Sequence, residues 1–175
     1  DFFSAGLLDR AEDLYLQLRG TSEHRVAALR RLLRICEITA EWDRAVDLCG
    51  ELLRIGTDTV TPGQLAHYYC ELAEEARKKS DWKEAYRLLE QAEAVEPGKV
   101  RCTIIRGDLA ADQGQSVAAA SAYAELARAV PAMLGDILPR LLRTVPQAGL
   151  EPLLQEVTAT PEGLRGIALA VIRDP

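Results

Sequence analysis

Apolar residues recur at helical spacing along two neighbouring segments between Leu65 and Pro97. Each set follows an i, i+3/i+4, i+7 pattern, which places its members on one face of a helix. Ser80 and Asp81 lie at the junction and are suited to cap the second helix, and Pro97 is suited to end it. The pattern therefore predicts a helix–turn–helix whose two apolar faces are Tyr69, Leu72, Ala73 and Ala76, and Trp82, Ala85, Leu89 and Ala92.

The second helix of this pair has copies elsewhere in the chain, each with alanine at its fourth position: Ala11, Ala45 and Ala119. A small residue is needed where two helices cross closely. The steps from Ala11 to Ala45 and from Ala85 to Ala119 are both about 34 residues, and this period with a helix pair in each copy is typical of the tetratricopeptide repeat (TPR). The predicted fold is an all-α TPR solenoid of antiparallel helix pairs, which leaves an open inner groove rather than an enclosed chamber.

The repeat pattern divides the chain into two parts. Residues 1–131 are predicted to be a TPR array of a half unit, starting with a helix from Phe2 to Arg19, and three full units. Residues 132–175 are predicted to be divergent, truncated TPR-like helices. The step from Ala45 to Ala85 is longer than the others, and the surplus falls in the loop Thr57–Gly63, where an insertion is tolerated. The chain begins without methionine inside an apparent helix, so we expect it to be a piece of a longer protein.

Several residues predict how individual helices end or pack. Gly56 is expected to be a left-handed C-cap, and Thr61 to Gln64 reads as a capping box with proline at the first helical position. Gly107 occupies a site where close helix contact requires a small residue. Pro139 is expected to kink its helix or delay its start, and Pro152 to interrupt the next one.

Charge and composition exclude some classes of function. The net charge is −6, whereas a nucleic-acid platform normally presents a basic stripe. The sequence has no apolar run of the length that spans a membrane. Its four cysteines form no C-x2-C pair, so they predict reduced, mostly buried thiols rather than a zinc site: Cys36, Cys49, Cys70 and Cys102.

Candidate catalytic residues are few. His67 and Cys70 are one helical turn apart and could bind a metal or form a nucleophile pair, although a polar groove residue beside a half-buried thiol is the simpler interpretation. No glycine-rich phosphate loop or H-E-x2-H motif occurs. We therefore predict a protein that is not an enzyme and that uses no cofactor in this segment.

The predicted binding surface is the inner groove, which the first helix of each unit lines. Arg30 and Arg34 are one turn apart and could hold a carboxylate; alternatively, these charges pair with Glu37 or Glu74 on a solvated face. The residues predicted to face a protein partner are Arg30, Arg34, Glu37, His67, Cys70, Glu74, Arg77, Arg101 and Asp108.

Three stretches look closer to one family than to TPR proteins in general, and the third of them is the most specific because TPR packing does not demand it. They are AGLLDRAEDLYLQL (Ala5–Leu18), AEWDRAVDLCGELLRIG (Ala40–Gly56) and LAHYYCELA (Leu65–Ala73). Together with the insertion that precedes the third, they resemble the lipopolysaccharide assembly protein B family of Gram-negative bacteria. The resemblance extends from Phe2 to about Pro131.

The resemblance implies a function and a location. Members of that family are anchored in the inner membrane, with the TPR array on its cytoplasmic side and a rubredoxin-like module at the C-terminus. They help a membrane AAA+ protease degrade the deacetylase that commits precursor to lipid A. The implied role is an adaptor with the protease, the deacetylase and other lipopolysaccharide assembly proteins as partners. Zinc or iron is expected only in the rubredoxin-like module, whose paired C-x2-C motifs this sequence lacks.

Two further expectations remain. A general TPR peptide-binding scaffold for another envelope or secretion assembly is the alternative function. The incomplete units at both ends expose apolar stripes, so the chain is also expected to form a homodimer through a terminal helix.

Overall fold

The computed structural model describes residues 8–173, with the side chains of residues 8, 147–149 and 169–173 left out of the description. These residues form ten α-helices and one 3-10 turn (Pro131–Met133), without any strand. The predicted first helix lies partly outside the described residues, since its start at Phe2 is not among them. The helices are α1 (Leu8–Arg19), α2 (Arg25–Thr39), α3 (Trp42–Ile55), α4 (Pro62–Lys78), α5 (Trp82–Val95), α6 (Val100–Asp112), α7 (Ser116–Ala129), α8 (Leu134–Thr144), α9 (Gln147–Thr158) and α10 (Pro161–Arg173).

The first of two compact units extends through Pro97 and contains α1 to α5. Each helix in it packs against the next one along the chain. The main core is formed by apolar side chains of α2, α3 and α4, with Leu29, Leu52 and Tyr68 almost completely buried. Val60, in the loop before α4, belongs to the same core and is 6% exposed.

The second unit begins at Gly98 and contains α6 to α10. Here α6 packs on α7, α7 on α8, and α10 on α8 and α9. Its core contains the fully buried residues Leu134, Ile137 and Leu141 of α8. The boundary between a TPR array and divergent helices, which the sequence pattern predicts after residue 131, lies within this second unit.

The small residues of the repeat are buried, as the pattern predicts. Ala45, Ala85 and Ala119 have no exposed surface, and Ala11 is 1% exposed. Because alanine adds only one carbon to the backbone, neighbouring helices can approach closely at these positions. This burial confirms that the recurrent alanines mark helix crossings and not the solvent face.

Most helix ends follow the local sequence. Gly56 adopts φ = 78° at the end of α3, and both hydrogen bonds of the capping box form between Thr61 and Gln64. Asp81 caps α5 by accepting a hydrogen bond from the amide of Glu84. These ends are set by residues within one helical turn of each other, which is why the sequence predicts them.

The predicted late start of α8 and the predicted interruption of α9 at their prolines are wrong, and the alternative of a kink at Pro139 stays a prediction. The helix α8 begins at Leu134, ahead of Pro139, so its start is not delayed. The helix α9 passes through Pro152 without interruption. Each proline lies in the second turn of its helix and removes one backbone hydrogen bond there, and later turns keep theirs.

None of the described helices combines the length and the apolar character that crossing a lipid bilayer requires.

A nearly buried carboxylate connects three helices of the first unit. Glu51 of α3 is 8% exposed, and it accepts hydrogen bonds from Arg19 of α1 and Arg25 of α2. The Nη2 atom of Arg25 is 2.8 Å from Oε1 of Glu51. Burial by itself raises the pKa of Glu51, but the hydrogen bonds from Arg25 and Arg19 outweigh it, and the net pKa is lowered.

This network predicts a specific dependence of stability on pH. Because the folded-state pKa of Glu51 is lowered, its ionised form stabilises the fold fully above the unfolded-state pKa of about 4.3. That contribution is lost as the pH falls from there through the folded-state value. We expect Glu51→Gln to reduce the free energy of unfolding at pH 7 by about 1 kcal/mol, since the two arginines are half exposed and screened.

Urea unfolding of both proteins at pH 7, 5, 4 and 3 measures this effect. The difference in free energy between wild type and Glu51→Gln should shrink below pH 4. A difference that stays constant over the whole series would show that ionisation of Glu51 does not stabilise the fold.

Candidate functional site

The residues predicted to line the groove come from three helices in two units. The helix α2 carries Arg30, Arg34 and Glu37; α4 carries His67, Cys70, Glu74 and Arg77; and α6, in the second unit, carries Arg101 and Asp108. The residues of α2 and α4 are therefore candidates for a surface of the first unit, and those of α6 belong to the second unit.

Glu37 is held inside the fold's own hydrogen-bond network. The hydroxyl group of Tyr68 donates to its Oε1 atom at 2.6 Å, and Nη1 of Arg34 lies 3.0 Å from its Oε2 atom. Both carboxylate oxygens thus have partners within the first unit. For Arg34 and Glu37, the structure favours the paired surface charges that were the alternative to ligand binding.

An aromatic cluster underlies this network. The ring of Tyr68 stacks on Trp42 of α3 with centroids 6.1 Å apart and an angle of 20°, and the edge of the His67 ring approaches the same indole at 6.2 Å. Tyr68 is 1% exposed. Burial and the hydrogen bond to Glu37 raise the pKa of Tyr68, so its hydroxyl stays protonated and donates.

Tyr68 was not among the predicted packing residues, and Tyr69 was predicted on the packing face instead. Tyr68 precedes Leu72 by one helical turn and Ala76 by two, so helical spacing alone permits it as part of the apolar face. Tyr69 is partly exposed in the structure. The choice between adjacent tyrosines depends on the position of Trp42 in the preceding helix, which the local pattern does not contain.

Cys70 is completely buried, so its assignment to the groove is wrong. It projects into the core, and the other three cysteines are buried as well. Burial raises the pKa of the Cys49 thiol to about 11. His67, by contrast, is exposed on α4, with its Nδ1 atom 3.8 Å from a carboxylate oxygen of Glu71. His67 and Cys70 therefore do not meet as a nucleophile and base on the surface.

The described side chains show no metal centre: no three of their His, Cys, Asp or Glu groups are arranged to hold an ion.

Three other charged groove residues, Glu74, Arg77 and Asp108, also have partners. The guanidinium of Arg77 donates to both oxygens of Glu74, at 2.9 and 2.7 Å. In the second unit, Asp108 accepts a hydrogen bond from Tyr123 at 2.6 Å and two from Arg140, at 2.9 and 3.2 Å. Asp108 thus links α6 to α7 and α8, and its role in the described structure is to hold neighbouring helices together.

One concavity of the first unit is lined in part by exposed arginines. It has a volume of about 440 Å³ and lies between α2, the loop before α4 and the first turn of α4. Among the residues that the structure describes, neither Arg30 nor Arg31 forms an ion pair. We call this site the basic concavity, and its lining is Ala27, Arg30, Arg31, Leu33, Arg34, Glu37, Thr59, Val60 and Gln64.

Comparison with solved structures identifies the fold. The crystal structure of MamA matches 99% of this chain and 92% of its own, with a TM-score of 0.55 and 16% sequence identity. YrrB, described as a TPR protein with an unusual peptide-binding site, is matched over 96% of this chain and 86% of its own, with a TM-score of 0.53 and 16% identity. With the buried repeat alanines and the antiparallel helix pairs, these matches establish a TPR fold.

Sequence comparison identifies relatives within that class. Lipopolysaccharide assembly protein B of Escherichia coli strain K12 is 36% identical over 115 residues, which are 66% of this chain and 29% of that protein. The protein of the same name from Haemophilus influenzae is 33% identical over 138 residues, or 79% of this chain and 34% of its own length. The chain is thus similar to lipopolysaccharide assembly protein B over about two thirds or more of its own length, and the resemblance stated from its sequence is confirmed.

The chain spans about a third of the length of the curated relatives it matches. No model of a protein family matches it.

Proposed function

We propose that this chain is a protein-binding TPR scaffold that acts in lipopolysaccharide assembly. The observation that carries the proposal is its homology to proteins named for that assembly, over about two thirds or more of its length. The fold supports a binding role, since helix pairs of this kind present an extended surface to a partner. On α2 and α4 that surface includes the exposed side chains of Arg30, Arg31 and His67.

We further propose that the scaffold works as an adaptor at the cytoplasmic face of the bacterial inner membrane. Its partners would be the deacetylase that commits precursor to lipid A and the membrane AAA+ protease that degrades it. Holding both proteins at once raises the effective concentration of one near the other, so a weak encounter becomes frequent without any reaction at the scaffold itself. This mechanism assigns no catalytic step to the chain.

Site-specific photo-crosslinking tests the proposed function. A photoreactive phenylalanine derivative is placed at His67 on α4 or at Ala27 on α2, both exposed, and at Lys83 or Arg87 on α5 as matched exposed controls. The chain is then irradiated with purified deacetylase or protease. We expect crosslinks from the α2 and α4 positions and a several-fold lower yield from α5.

The result also tests the adaptor role and the location of the binding surface separately. Crosslinks to neither protein from any position would overturn the adaptor role. Equal yields from α5 and from α2 and α4 would show that the partner binds elsewhere than on the proposed surface.

A further inference from the structure

We propose that the basic concavity binds an acidic peptide segment of a partner protein, with a carboxylate on the arginines and an aliphatic side chain beside it. This inference rests on the proposed function and specifies the ligand chemistry of one part of its surface.

The charge of the lining is opposite to that of the whole chain. Three arginines and one glutamate line the basic concavity, whereas the net charge of the protein is −6. Arg34 forms an ion pair with Glu37, but Arg30 and Arg31 have no ion-pair partner among the described residues. Exposed guanidinium groups on adjacent positions of α2 can bind a carboxylate through paired N–H donors. The available positive charge thus comes from Arg30 and from Arg31, which sequence analysis did not select.

The second wall comes from the insertion in the repeat. Thr59 and Val60 belong to the loop between α3 and α4, where the step from Ala45 to Ala85 exceeds the other repeat steps. The loop is held at its start, where the hydroxyl group of Thr57 donates to the carbonyl oxygen of Leu52 at 3.4 Å, and at its end, where Val60 is anchored in the core. The inserted loop therefore forms one wall of the basic concavity.

The lining also favours a peptide over a phosphorylated ligand. Exposed Ala27, with the small exposed parts of Leu33 and Val60, supplies apolar surface next to the guanidinium groups, which suits a carboxylate followed by an aliphatic side chain. Glu37 is part of the same lining and repels a doubly charged phosphate more than a single carboxylate. The net negative charge of the chain also opposes attraction to an anionic membrane surface.

Fluorescence anisotropy with a defined probe tests the proposal. The probe is a labelled peptide of alternating glutamate and leucine with a free C-terminus, and its control has glutamine for every glutamate and an amidated C-terminus. We expect the acidic peptide to bind wild type at least about tenfold more tightly than the neutral one. Arg30→Glu combined with Arg31→Glu should weaken binding of the acidic peptide by about the same factor.

Two further variants separate a built site from general attraction. Arg10→Glu combined with Arg54→Glu makes the same charge change at exposed positions outside the lining and should leave peptide affinity within about twofold. Ala27→Trp keeps all three arginines but fills the basic concavity, and it should weaken binding as much as the double reversal. Thermal unfolding of each variant confirms that it is folded.

Several outcomes overturn the inference. The first is a peptide affinity that does not depend on the glutamates of the peptide. The second is a peptide affinity that is unchanged both by the Arg30/Arg31 reversal and by Ala27→Trp. The third is stronger binding of inorganic phosphate or of phosphatidylglycerol vesicles through the same arginines. If crosslinking from His67 still captures the deacetylase or protease, only this inference fails and the adaptor role stands. If crosslinking fails as well, both fail.

Discussion

Replacement of Gly107 by alanine is expected to lower the free energy of unfolding by about 2 kcal/mol. An ideal Cβ atom at this position would lie 2.5 Å from Cε1 and 2.7 Å from Cζ of Tyr123, well inside van der Waals contact. The ring cannot easily move away, because Tyr123 is 1% exposed and its hydroxyl group is hydrogen-bonded to Asp108. Either α6 and α7 separate or the ring leaves its site, and both lose packing in the second unit.

The same substitution at Gly50 provides a matched control. Gly50 lies inside α3, and no atom lies within 4 Å of a Cβ built there. Alanine at such a site gains helix propensity, so Gly50→Ala should raise the free energy of unfolding by up to about 1 kcal/mol. Urea unfolding followed by circular dichroism measures both variants.

The opposite signs of the two effects make the test decisive. If Gly107→Ala were neutral or stabilising, α6 and α7 would not be in close contact at this residue. A double-mutant cycle with Tyr123→Leu adds a second check: the cost of alanine at Gly107 should fall by about 1 kcal/mol or more when the smaller side chain replaces the ring.

The repeat architecture was predictable because one residue type, alanine, recurs along the chain at a nearly constant interval. Ala45, Ala85 and Ala119 must be small wherever helices cross, and they are buried in the structure as that reasoning requires. Gly56 and Thr61 were predictable for a different reason. Their roles depend on backbone conformation and on close neighbours in the chain, which the sequence displays directly.

The prediction of the groove residues was less accurate. Whether a side chain points to the groove or to the core depends on small differences in helix rotation. Adjacent residues of an α-helix point about 100° apart, so an error of one position moves a side chain from surface to core. Cys70 was placed on the groove and lies in the core, and Tyr68 was left out although it is the largest buried side chain of α4. The apolar spacing of α4 accommodates either register, and only the neighbouring helix selects one.

Hydrogen bonds that carboxylates accept from a neighbouring repeat could also not be predicted from a single helix. Glu37 is paired with Tyr68 and Asp108 with Arg140, at sequence separations of 31 and 32 residues. These separations approach one repeat, so each pair connects equivalent regions of successive repeats. A search restricted to one helix treats such carboxylates as available for a ligand. The α2 side of the basic concavity was predicted through Arg30, Arg34 and Glu37, but its second wall was not, because that wall comes from the loop before α4.

Replacement of Tyr68 by alanine is expected to cause a larger loss of stability, about 3–5 kcal/mol. The substitution removes a buried ring that stacks on Trp42, and it also removes the hydroxyl donor to Glu37. Tyr69→Ala is the matched control on the same helix, and it should cost about 1 kcal/mol or less because that side chain is partly exposed. The order of these two effects is the reverse of what the initial sequence pattern implies.

Tyr68→Phe separates the two contributions of this residue. It keeps the ring on Trp42 but removes the hydrogen bond to Glu37, whose other oxygen still has Arg34 as a partner. We therefore expect a loss of about 1–2 kcal/mol, well below that of alanine. Urea unfolding with tryptophan fluorescence as the signal reports on all three variants, since Trp42 lies against the altered ring. Equal losses for Tyr68→Ala and Tyr69→Ala would contradict the observed orientation of α4. If Tyr68→Phe costs as much stability as Tyr68→Ala, the hydrogen bond to Glu37, and not ring packing, joins α4 to the repeat before it.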